Sequence, residues 1–324
     1  MRLDLIIPLY NESASLRRFH AALVAALSSL PCRLRFFYVD DGSQDDTGKI
    51  LAGLAHADSR LQPIALSRNF GHQAALSAGL DAAARDPADA VVMLDGDGQH
   101  PPELVPEMVR LFEAGYDVVQ MQRRDAPGPP RFKRAASASF YWLINRLGET
   151  HIAEGSADFR LLSRDALLTL ARLREYHRFY RGLVEWIGFR SVILPYTPAP
   201  RLAGRSQYSL RKMLRLAEHG LLSFSLAPLR LALVIGLLFL ALLALEIVYV
   251  LSFWIRGDRH ALVPGWSSLM MVLTLSSAIS MLLLGILGFY VGMIFQEVKR
   301  RPVYVVRPET RKPDESQIRE PGRP

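Results

Sequence analysis

The chain has 324 residues and a formal net charge of +8. A basic chain can bind nucleic acid, but this one has no aromatic-basic RNA-binding signature and no zinc-ligand spacing, so we expect anionic lipid head groups rather than nucleic acid as its partner. The single cysteine, Cys32, excludes an internal disulfide and fits a reducing compartment. We expect no signal peptide before the first strand.

Apolar strands alternate with amphipathic helices along the first part of the chain. The pattern predicts strands at residues 3–8, 34–39, 61–66, 90–94 and 117–122. It predicts helices at 13–30 and 72–84, and between them a helix that is capped by Asp45 or Asp46 and ends at Ala57. This order is typical of an α/β domain with a Rossmann-like, mainly parallel sheet, whose ligands bind beyond the carboxyl ends of the strands. Polar groups follow four of these ends: Tyr10-Asn11-Glu12, Asp40-Asp41, Ser67-Arg68-Asn69 and Asp95-Gly96-Asp97.

Two common nucleotide-binding classes are excluded by their motifs. A dinucleotide-binding enzyme needs G-x-G-x-x-G after the first strand, where this chain has Pro8-Leu9-Tyr10-Asn11-Glu12. Gly96-Asp97-Gly98 is followed by Gln99-His100-Pro101 and fails the same test. A P-loop is excluded because no G-x-x-x-x-G-K-[ST] occurs.

The strand at 90–94 ends on Asp95-Gly96-Asp97-Gly98-Gln99. Alternate side chains of a strand share a face, and glycines allow a sharp turn, so both carboxylates and the Gln99 amide can converge on one divalent cation. Such an ion would recruit a diphosphate. A polar turn after a buried strand is the alternative, and the surrounding motifs must decide between them.

Two long apolar runs, residues 229–254 and 269–295, are each long enough to cross a bilayer. Buried core helices are the alternative, but such helices rarely run this long without a polar face. Basic residues precede the first run and follow the second, which predicts a multi-pass inner-membrane protein with its catalytic domain and both termini cytoplasmic. The segments at 132–147 and 208–226 suit interfacial helices. The predicted divisions are a domain at 1–205, a juxtamembrane helix at 206–228, two spans within 229–296, and a basic tail at 297–324.

The ordered motifs of the chain resemble those of family 2 glycosyltransferases, and within them the polyprenyl-phosphate glycosyltransferases. These include bactoprenol glucosyltransferases and dolichol-phosphate mannose synthases. The likeness covers nearly the whole chain. It is carried by Pro8-x-Tyr10-Asn11-Glu12, Val39-Asp40-Asp41-Gly42-Ser43, Ser67-Arg68-Asn69-Phe70-Gly71-His72, Asp95-x-Asp97-x-Gln99-x-Pro101-Pro102-Glu103, Gly155-x-x-Asp158-Phe159-Arg160-Leu161 and Arg201-x-x-Gly204-x-Ser206-x-Tyr208-Ser209.

The resemblance implies a GT-A type domain that transfers one sugar, with inversion, from a nucleotide sugar to a polyprenyl phosphate. UDP-glucose is the first candidate donor; UDP-N-acetylglucosamine, UDP-galactose and GDP-mannose are alternatives. Mg²⁺ or Mn²⁺ is the implied cofactor, and a homo-oligomer, with a tetramer as the candidate state, is the implied assembly. A processive polysaccharide synthase is disfavoured because the chain lacks Gln-x-x-Arg-Trp. A catalytically silent membrane scaffold stays open, since Gly204-Arg205-Ser206-Gln207-Tyr208 departs from the family's Gly-Glu-Ser-Lys-Tyr.

The resemblance also assigns roles to single residues. Asp158 is the implied catalytic carboxylate beside Asp97, and it either acts as a general base or orients the acceptor or a sugar hydroxyl. The structural alternative is that Asp158 pairs with Arg160 to brace a loop. Cations near the membrane are needed for a lipid phosphate. The donor-binding candidates are Pro8, Tyr10, Asn11, Glu12, Asp40, Asp41, Arg68, Asp95 and Gly96; the metal ligands are Asp95, Asp97 and Gln99; the acceptor-phosphate candidates are Arg123, Lys133, Arg134, Ser137 and Arg201.

Overall fold

The computed structural model describes residues 1–124, 156–176, 178–198 and 265–308, together with scattered helical residues between 234 and 255. The chain divides into two compact units. The first contains all of the described strands and residues 302–308. The second contains one long apolar helix among the described residues.

The first unit alternates strands and helices. Its first five strands and first three helices follow the predicted order, with boundaries within a few residues of those expected, and its remaining elements were not predicted. Its strands are β1 (Arg2–Leu9), β2 (Arg33–Asp40), β3 (Leu61–Ala65), β4 (Ala90–Met93), β5 (Val118–Arg123), β6 (Ser156–Ser163) and β7 (Ser191–Tyr196). Its helices are α1 (Leu16–Leu27), α2 (Thr47–Ala57), α3 (His72–Arg85), α4 (Val105–Glu113), α5 (Arg164–Arg172) and α6 (Tyr180–Trp186), and a 3-10 turn spans Pro102–Leu104.

The strands form one seven-stranded sheet in the order β3-β2-β1-β4-β6-β5-β7. All pairs are parallel except the two made by β6, which runs antiparallel to both β4 and β5. The predicted mixed α/β fold with a mainly parallel sheet is therefore confirmed. Neither β6 nor β7 was predicted, because residues 155–161 were interpreted only as a motif and no pattern was assigned to residues 191–196.

Helices cover both faces of the sheet, which explains why its central strands are apolar on both sides. On one face, alternate residues of β1 such as Leu3 and Leu5 pack in a cluster with Phe19 of α1 and Met108 of α4. On the other face lies α3, and a Cβ at Gly79 would come within 2.3 Å of Ile6 Cγ2. Glycine at this position therefore allows close helix-to-strand packing.

The strand register brings the polar segments to one end of the sheet. The last residues of β1 and β2 pair directly, Leu9 with Asp40, so the loops that follow them are neighbours. Because β6 is antiparallel, its beginning lies beside the end of β4, and Arg160 pairs with Met93. The antiparallel strand β6 therefore places Asp158 at the same end of the sheet as Asp95.

Residues 302–308, here called the C-terminal strap, extend the edge of the sheet at β3. Val306 pairs antiparallel with Leu66. The Ser67 amide donates to the Val305 carbonyl at 2.8 Å, and the Arg307 amide donates to the Ala65 carbonyl at 2.7 Å. The sequence analysis placed these residues in a basic tail and did not anticipate this pairing.

The described part of the second unit contains a helix, α7 (Trp266–Val298), of 33 residues. Its segment Leu275–Val298 has a mean hydropathy of 2.3 and is not buried, so it is long and apolar enough to cross a membrane. It is the only such helix among the described residues, and it coincides with the predicted second run. The first run is only partly described, so two spans stay a prediction; the interfacial segments at 132–147 and 208–226 lie outside the described residues.

Candidate active site

The Asp95–Gln99 turn lies at the carboxyl end of β4. Gly98 has a φ of 79°, a left-handed conformation that favours glycine. The Gln99 amide donates to Asp97 Oδ1 at 2.9 Å, which fixes the turn. A Cβ at Gly96 would lie 2.4 Å from Leu9 Cδ2, so this predicted donor residue lets the turn pack directly on the end of β1.

His100 fixes the backbone of Asp95. The Asp95 amide donates to His100 Nδ1 at 2.9 Å, so a neutral His100 carries its proton on Nε2, which lies 3.7 Å from Asp95 Oδ2. The imidazole stacks on Phe159 with ring centroids 5.0 Å apart. The other carboxylate oxygen, Asp95 Oδ1, is buried and makes no hydrogen bond to a described residue, although His72 Nε2 lies 3.6 Å away. A buried carboxylate oxygen that makes no hydrogen bond is suited to a cation.

The residues present fit a divalent metal. Mg²⁺ is commonly held by one or two carboxylates, with the remaining positions filled by water and substrate phosphates. Asp95, Asp97 and Gln99 are hard oxygen ligands of this kind, and the unbonded Asp95 Oδ1 supports that interpretation. Among the described residues, no three His, Cys, Asp or Glu side chains gather as a complete metal-binding cluster, so substrate oxygens would have to complete the coordination.

Asp158 is buried, with 4% of its surface exposed, and four side chains surround its carboxylate. Arg181 donates to both oxygens, at 3.3 Å from Nε and 3.0 Å from Nη2. Arg160 Nη2 donates at 3.2 Å, and Gln73 Nε2 also donates at 3.2 Å. Burial alone would raise the pKa of Asp158, but Arg181, His72 and Arg160 outweigh it and hold the pKa well below its usual value. Asp158 is therefore an ionised, fully hydrogen-bonded carboxylate.

His72, at the start of α3, links the two carboxylate groups. Its Nε2 lies 3.6 Å from Asp95 Oδ1 and 3.5 Å from Asp158 Oδ2. Desolvation lowers the pKa of His72, but Asp95 and Asp158 more than compensate and raise it to about 9. In the absence of a metal the imidazole is thus protonated at neutral pH, and it balances part of the negative charge of the site.

Arg160 supports this arrangement from inside the fold. It is fully buried, and its guanidinium donates to the Tyr180 and Ala157 carbonyls at 3.0 Å each. Burial lowers its pKa to about 10 in spite of Asp158. The guanidinium therefore stays charged at neutral pH and depends on Asp158 for its charge balance.

The loop after β1 is braced by the loop after β2. The Asn11 amide donates to Ser43 Oγ at 2.9 Å, while Asn11 Oδ1 accepts from the Gln44 amide at 2.9 Å. The Glu12 amide donates to Thr47 Oγ1 at 2.8 Å. The side chain of Asn11, a predicted donor contact, is thus occupied in holding the two loops together. Pro8 and Tyr10 lie at the same end of β1.

Asp40 and Asp41 have different structural partners. Asp40 Oδ1 accepts from the Ser43 amide at 2.9 Å and so closes the turn at Gly42. Asp41 is almost fully buried and accepts from the Phe70 and Gly71 amides at 2.7 and 2.9 Å. Burial raises the pKa of Asp41, although these two amides oppose the shift. Asp41 therefore anchors the segment Ser67–Gly71, here called the donor loop because it contains Arg68, a predicted donor contact.

The donor loop packs on the backbone of the turn after β2. Gly42 has a φ of 67°, and a Cβ there would come within 2.3 Å of the Arg68 carbonyl carbon. Arg68 itself is exposed, and its guanidinium lies 4.0 Å from the centroid of the Phe70 ring. Arg68, a predicted donor contact, thus lies in a loop whose C-terminal end is fixed by the hydrogen bonds from the Phe70 and Gly71 amides to Asp41.

Arg123 is the one predicted acceptor residue within the described part of the chain. It ends β5 and pairs with Tyr196 of β7. Burial raises the pKa of Tyr196 to about 12; Arg123 and Arg181 oppose this shift, whereas Asp95 and Asp97 add to it. These four charges therefore lie within electrostatic range of one ring. Lys133, Arg134, Ser137 and Arg201 lie outside the described residues.

No role was predicted for four residues that the structure brings to this site: His72, Gln73, His100 and Arg181. His72 closes the quoted Ser67–His72 motif, which was a usable signal. Gln73 follows it on α3. Arg181 lies on α6, 23 residues after the carboxylate that it contacts, and no local pattern marks it.

Comparison with known proteins identifies the family of the chain. A family model described as glycosyl transferase family 2 matches residues 4–170. YkcC, a glycosyltransferase of Bacillus subtilis, is 36% identical over 304 residues, covering 94% of this chain and 93% of the relative. The SfII prophage-derived bactoprenol glucosyl transferase of Shigella flexneri is 34% identical over 310 residues, covering 95% of this chain and 98% of the relative.

Among solved structures, glucosyl-3-phosphoglycerate synthase from Mycobacterium tuberculosis is 20% identical, with a TM-score of 0.44 over 68% of this chain and 79% of the other. The sequence matches are much stronger, since they extend over nearly the full length of both partners. On the evidence of the family model and these relatives, the chain belongs to glycosyl transferase family 2 and is a glycosyltransferase.

Proposed function

We propose that this glycosyltransferase transfers one sugar, with glucose from UDP-glucose as the first candidate, to a polyprenyl phosphate such as undecaprenyl phosphate. The reaction inverts the anomeric carbon and takes place at the cytoplasmic face of the inner membrane. Its product supplies lipid-linked sugar for cell-envelope glycans or for lipopolysaccharide modification. Support comes from the SfII prophage-derived bactoprenol glucosyl transferase of Shigella flexneri, which is 34% identical over an alignment that covers 95% of this chain.

The observation that carries the proposal is the pair of carboxylate groups at one end of the sheet. Asp95 has a buried oxygen without a hydrogen bond, and Asp158 is ionised and enclosed by cations. His72 lies within 3.6 Å of both. An acidic site in which Asp95 Oδ1 makes no hydrogen bond is suited to a metal cation. Such a cation suits a nucleotide sugar, because the nucleoside diphosphate gains negative charge that must be neutralised as it departs.

A metal fits the proposal without supplying all of it. Held by Asp95, Asp97 and Gln99, Mg²⁺ or Mn²⁺ would act as a Lewis acid that stabilises the departing diphosphate. The chain's own contribution is geometry: the Gln99 amide fixes Asp97, and His100 fixes the backbone of Asp95.

For Asp158, we favour positioning over general-base catalysis. A carboxylate whose pKa is held well below its usual value is a weak base. The acceptor needs little help, because a phosphate monoester is already an anion near neutral pH. We infer that Asp158 holds Arg181 and His72 in fixed positions beside the donor.

The membrane part of the proposal is supported by α7, whose segment Leu275–Val298 can span a bilayer. Arg123, at the site's end of β5, is a candidate for the lipid phosphate, with Lys133, Arg134, Ser137 and Arg201 as further predictions. We also propose a homo-oligomer, with a tetramer as the candidate state. In the described part of the chain nothing lies within 4 Å of Cβ atoms added at Gly285, Gly288 and Gly292. Small residues of this kind allow close helix packing, which supports the proposal of an oligomer.

The test is sugar transfer by the purified full-length protein. Labelled UDP- and GDP-sugars are incubated with undecaprenyl phosphate and Mg²⁺ or Mn²⁺, and label is counted in the organic phase. We expect label from one UDP-sugar, with Asp97→Asn reducing it at least about a hundredfold, the scale expected when one group that stabilises developing charge is removed.

Asp165→Asn is the matched control, because this exposed Asp begins α5 at the opposite end of the sheet and should not affect transfer. Transfer from GDP-mannose alone would replace UDP-glucose as the donor. Metal-dependent binding of a nucleotide sugar without transfer to any polyprenyl phosphate would contradict this acceptor. No binding of any nucleotide sugar would favour the silent scaffold.

A further inference from the structure

The C-terminal strap pairs with the chain at the point where β3 becomes the donor loop. Ser67, the first residue of that loop, donates its amide to the Val305 carbonyl at 2.8 Å. Two residues earlier, the Ala65 carbonyl accepts from the Arg307 amide at 2.7 Å. Because Asp41 holds the other end through the Phe70 and Gly71 amides, Arg68 lies between two fixed points.

Tyr304 is the side chain that anchors the strap. Its ring packs against a small cluster on the α3 face of the sheet, which includes Val39, Leu66 and Ala78. Its hydroxyl donates to Asp81 Oδ2 of α3 at 2.9 Å. A tyrosine that combines an apolar contact with a charge-assisted hydrogen bond is a specific attachment, not merely a covered surface.

Asp81 belongs to a polar stripe on α3. Gln73, Ser77 and Asp81 are spaced by four residues and therefore lie on one face of the helix. The Tyr180 hydroxyl donates to Ser77 Oγ at 2.9 Å, and Ser77 Oγ donates to the Gln73 carbonyl at 2.8 Å. At the end of the stripe, Gln73 Nε2 donates to Asp158 Oδ2 at 3.2 Å.

Arg178 adds a charged contact that joins Asp81 to Tyr180. Arg178 Nη1 lies 3.5 Å from both oxygens of Asp81 and 3.4 Å from the Tyr180 hydroxyl. The Arg178 side chain is 9% exposed and that of Asp81 is 26% exposed, so these contacts are partly shielded from water. A continuous set of polar contacts therefore runs from Tyr304 along α3 to the carboxylate of Asp158.

We propose that the C-terminal strap is a positioning element of the donor site, with Tyr304 as its positioning residue. The strap fixes the donor loop by backbone pairing and fixes α3 through Asp81, so that Arg68, His72 and Gln73 are ordered before the donor binds. This inference rests on the proposed function for the meaning of the donor site. It makes the residues that directly follow the membrane helix in sequence a working part of catalysis rather than a tail.

The experiment compares two truncations of the full chain, one ending at Arg301 and one ending at Pro308. Ending at Pro308 keeps the strap and should leave transfer unchanged. Ending at Arg301 removes it, and we expect the donor KM to rise at least about tenfold while the KM for undecaprenyl phosphate is unchanged. Without the strap, the free-energy cost of ordering the donor loop reduces the affinity for the donor. A synthetic peptide of residues 302–308, added in excess, should lower the donor KM again.

Point variants test the same idea in a chain whose length is intact. Tyr304→Phe keeps the ring and removes the hydrogen bond to Asp81. We expect the donor KM to rise roughly threefold to tenfold, which is less than the full free energy of a charge-assisted hydrogen bond, because only the part that orders the donor loop affects donor binding. Arg307→Pro removes the amide that donates to Ala65, whereas Arg307→Ala keeps it; only the proline variant should raise the donor KM.

Hydrogen exchange separates failure of this inference from failure of the proposed function. Amides of residues 67–71 should exchange faster in Tyr304→Phe and in the chain ending at Arg301, whether or not sugar is transferred. Unchanged exchange there, or equal effects on donor and acceptor KM, would overturn the positioning role. Absence of transfer by the unaltered chain, with the exchange difference present, would instead refute only the assigned reaction.

Discussion

Replacing Asp158 by asparagine should cost stability as well as activity. The carboxylate is buried and accepts hydrogen bonds from Arg181, Arg160 and Gln73 at 3.0 to 3.3 Å. Asparagine keeps the shape but removes the charge, and it leaves the fully buried Arg160 guanidinium without its counter-ion. Breaking a buried ion pair by removing one partner costs about 3–5 kcal/mol.

Some of this cost is recovered, because the asparagine oxygen can still accept a hydrogen bond worth about 1 kcal/mol. We therefore expect Asp158→Asn to lower stability by about 2–4 kcal/mol. For a folded unit of 150–250 residues each kcal/mol shifts Tm by about 2–4 °C, so Tm should fall by roughly 5–15 °C.

Asp97→Asn is the internal comparison. Asp97 is half-buried, and asparagine can still accept the Gln99 amide through Oδ1, so we expect Tm to change by less than about 2 °C while transfer is lost. Thermal unfolding of both variants in detergent, beside the transfer assay, distinguishes them. Equal Tm values for Asp158→Asn and the unaltered protein would refute the claim that this cluster balances buried charge.

Three further predictions concern the turn after β2, the interior of α1 and the metal. Gly42→Ala should destabilise the protein by more than about 1 kcal/mol and weaken UDP binding, because φ is 67° and the new Cβ would overlap the Arg68 backbone. Gly53→Ala should instead stabilise α2 by about 0.5–1 kcal/mol, because a Cβ there would contact no described residue within 4 Å. Calorimetry measures both changes in stability. Burial lowers the pKa of His20, so the folded state disfavours its protonation. The stability that neutral His20 contributes is complete above the unfolded pKa of about 6.5, and it should be lost as the pH falls from that value through the lower folded pKa. A His20→Asn variant should show a smaller fall in Tm between pH 7.5 and pH 5.5, and an identical fall would contradict this role. Chelation with EDTA should abolish transfer, and Mg²⁺ or Mn²⁺ should restore it; undiminished activity after exhaustive chelation would exclude the metal at Asp95 and Asp97.

Local periodicity was sufficient to predict most of the sheet domain. The predicted strand at 3–8 and helix at 72–84 differ from β1 and α3 by at most one residue at each end, because apolar spacing with period 2 or 3.6 reflects burial directly. The Asp95–Gln99 turn was predictable for a similar reason, since the two carboxylates and both glycines are close in sequence.

The wider site was less accessible from local patterns. Asp158 was assigned only through a family resemblance, and the role of Asp41 as the anchor of the donor loop was not anticipated. Its two amide partners lie about thirty residues away, and hydrogen bonds over such separations leave no periodic signal in the sequence.

The sequence by itself determined the alternation of strands and helices, the acidic turn after β4 and the apolar helix at 266–298, because each depends on residues that are neighbours along the chain. Only the tertiary structure decided that β6 enters the sheet antiparallel, that Arg181 and His72 meet Asp158, and that the C-terminal strap completes the edge at β3. These are pairings between distant segments. Their free energy comes from burial, charge balance and hydrogen bonding that exist only once the chain has folded.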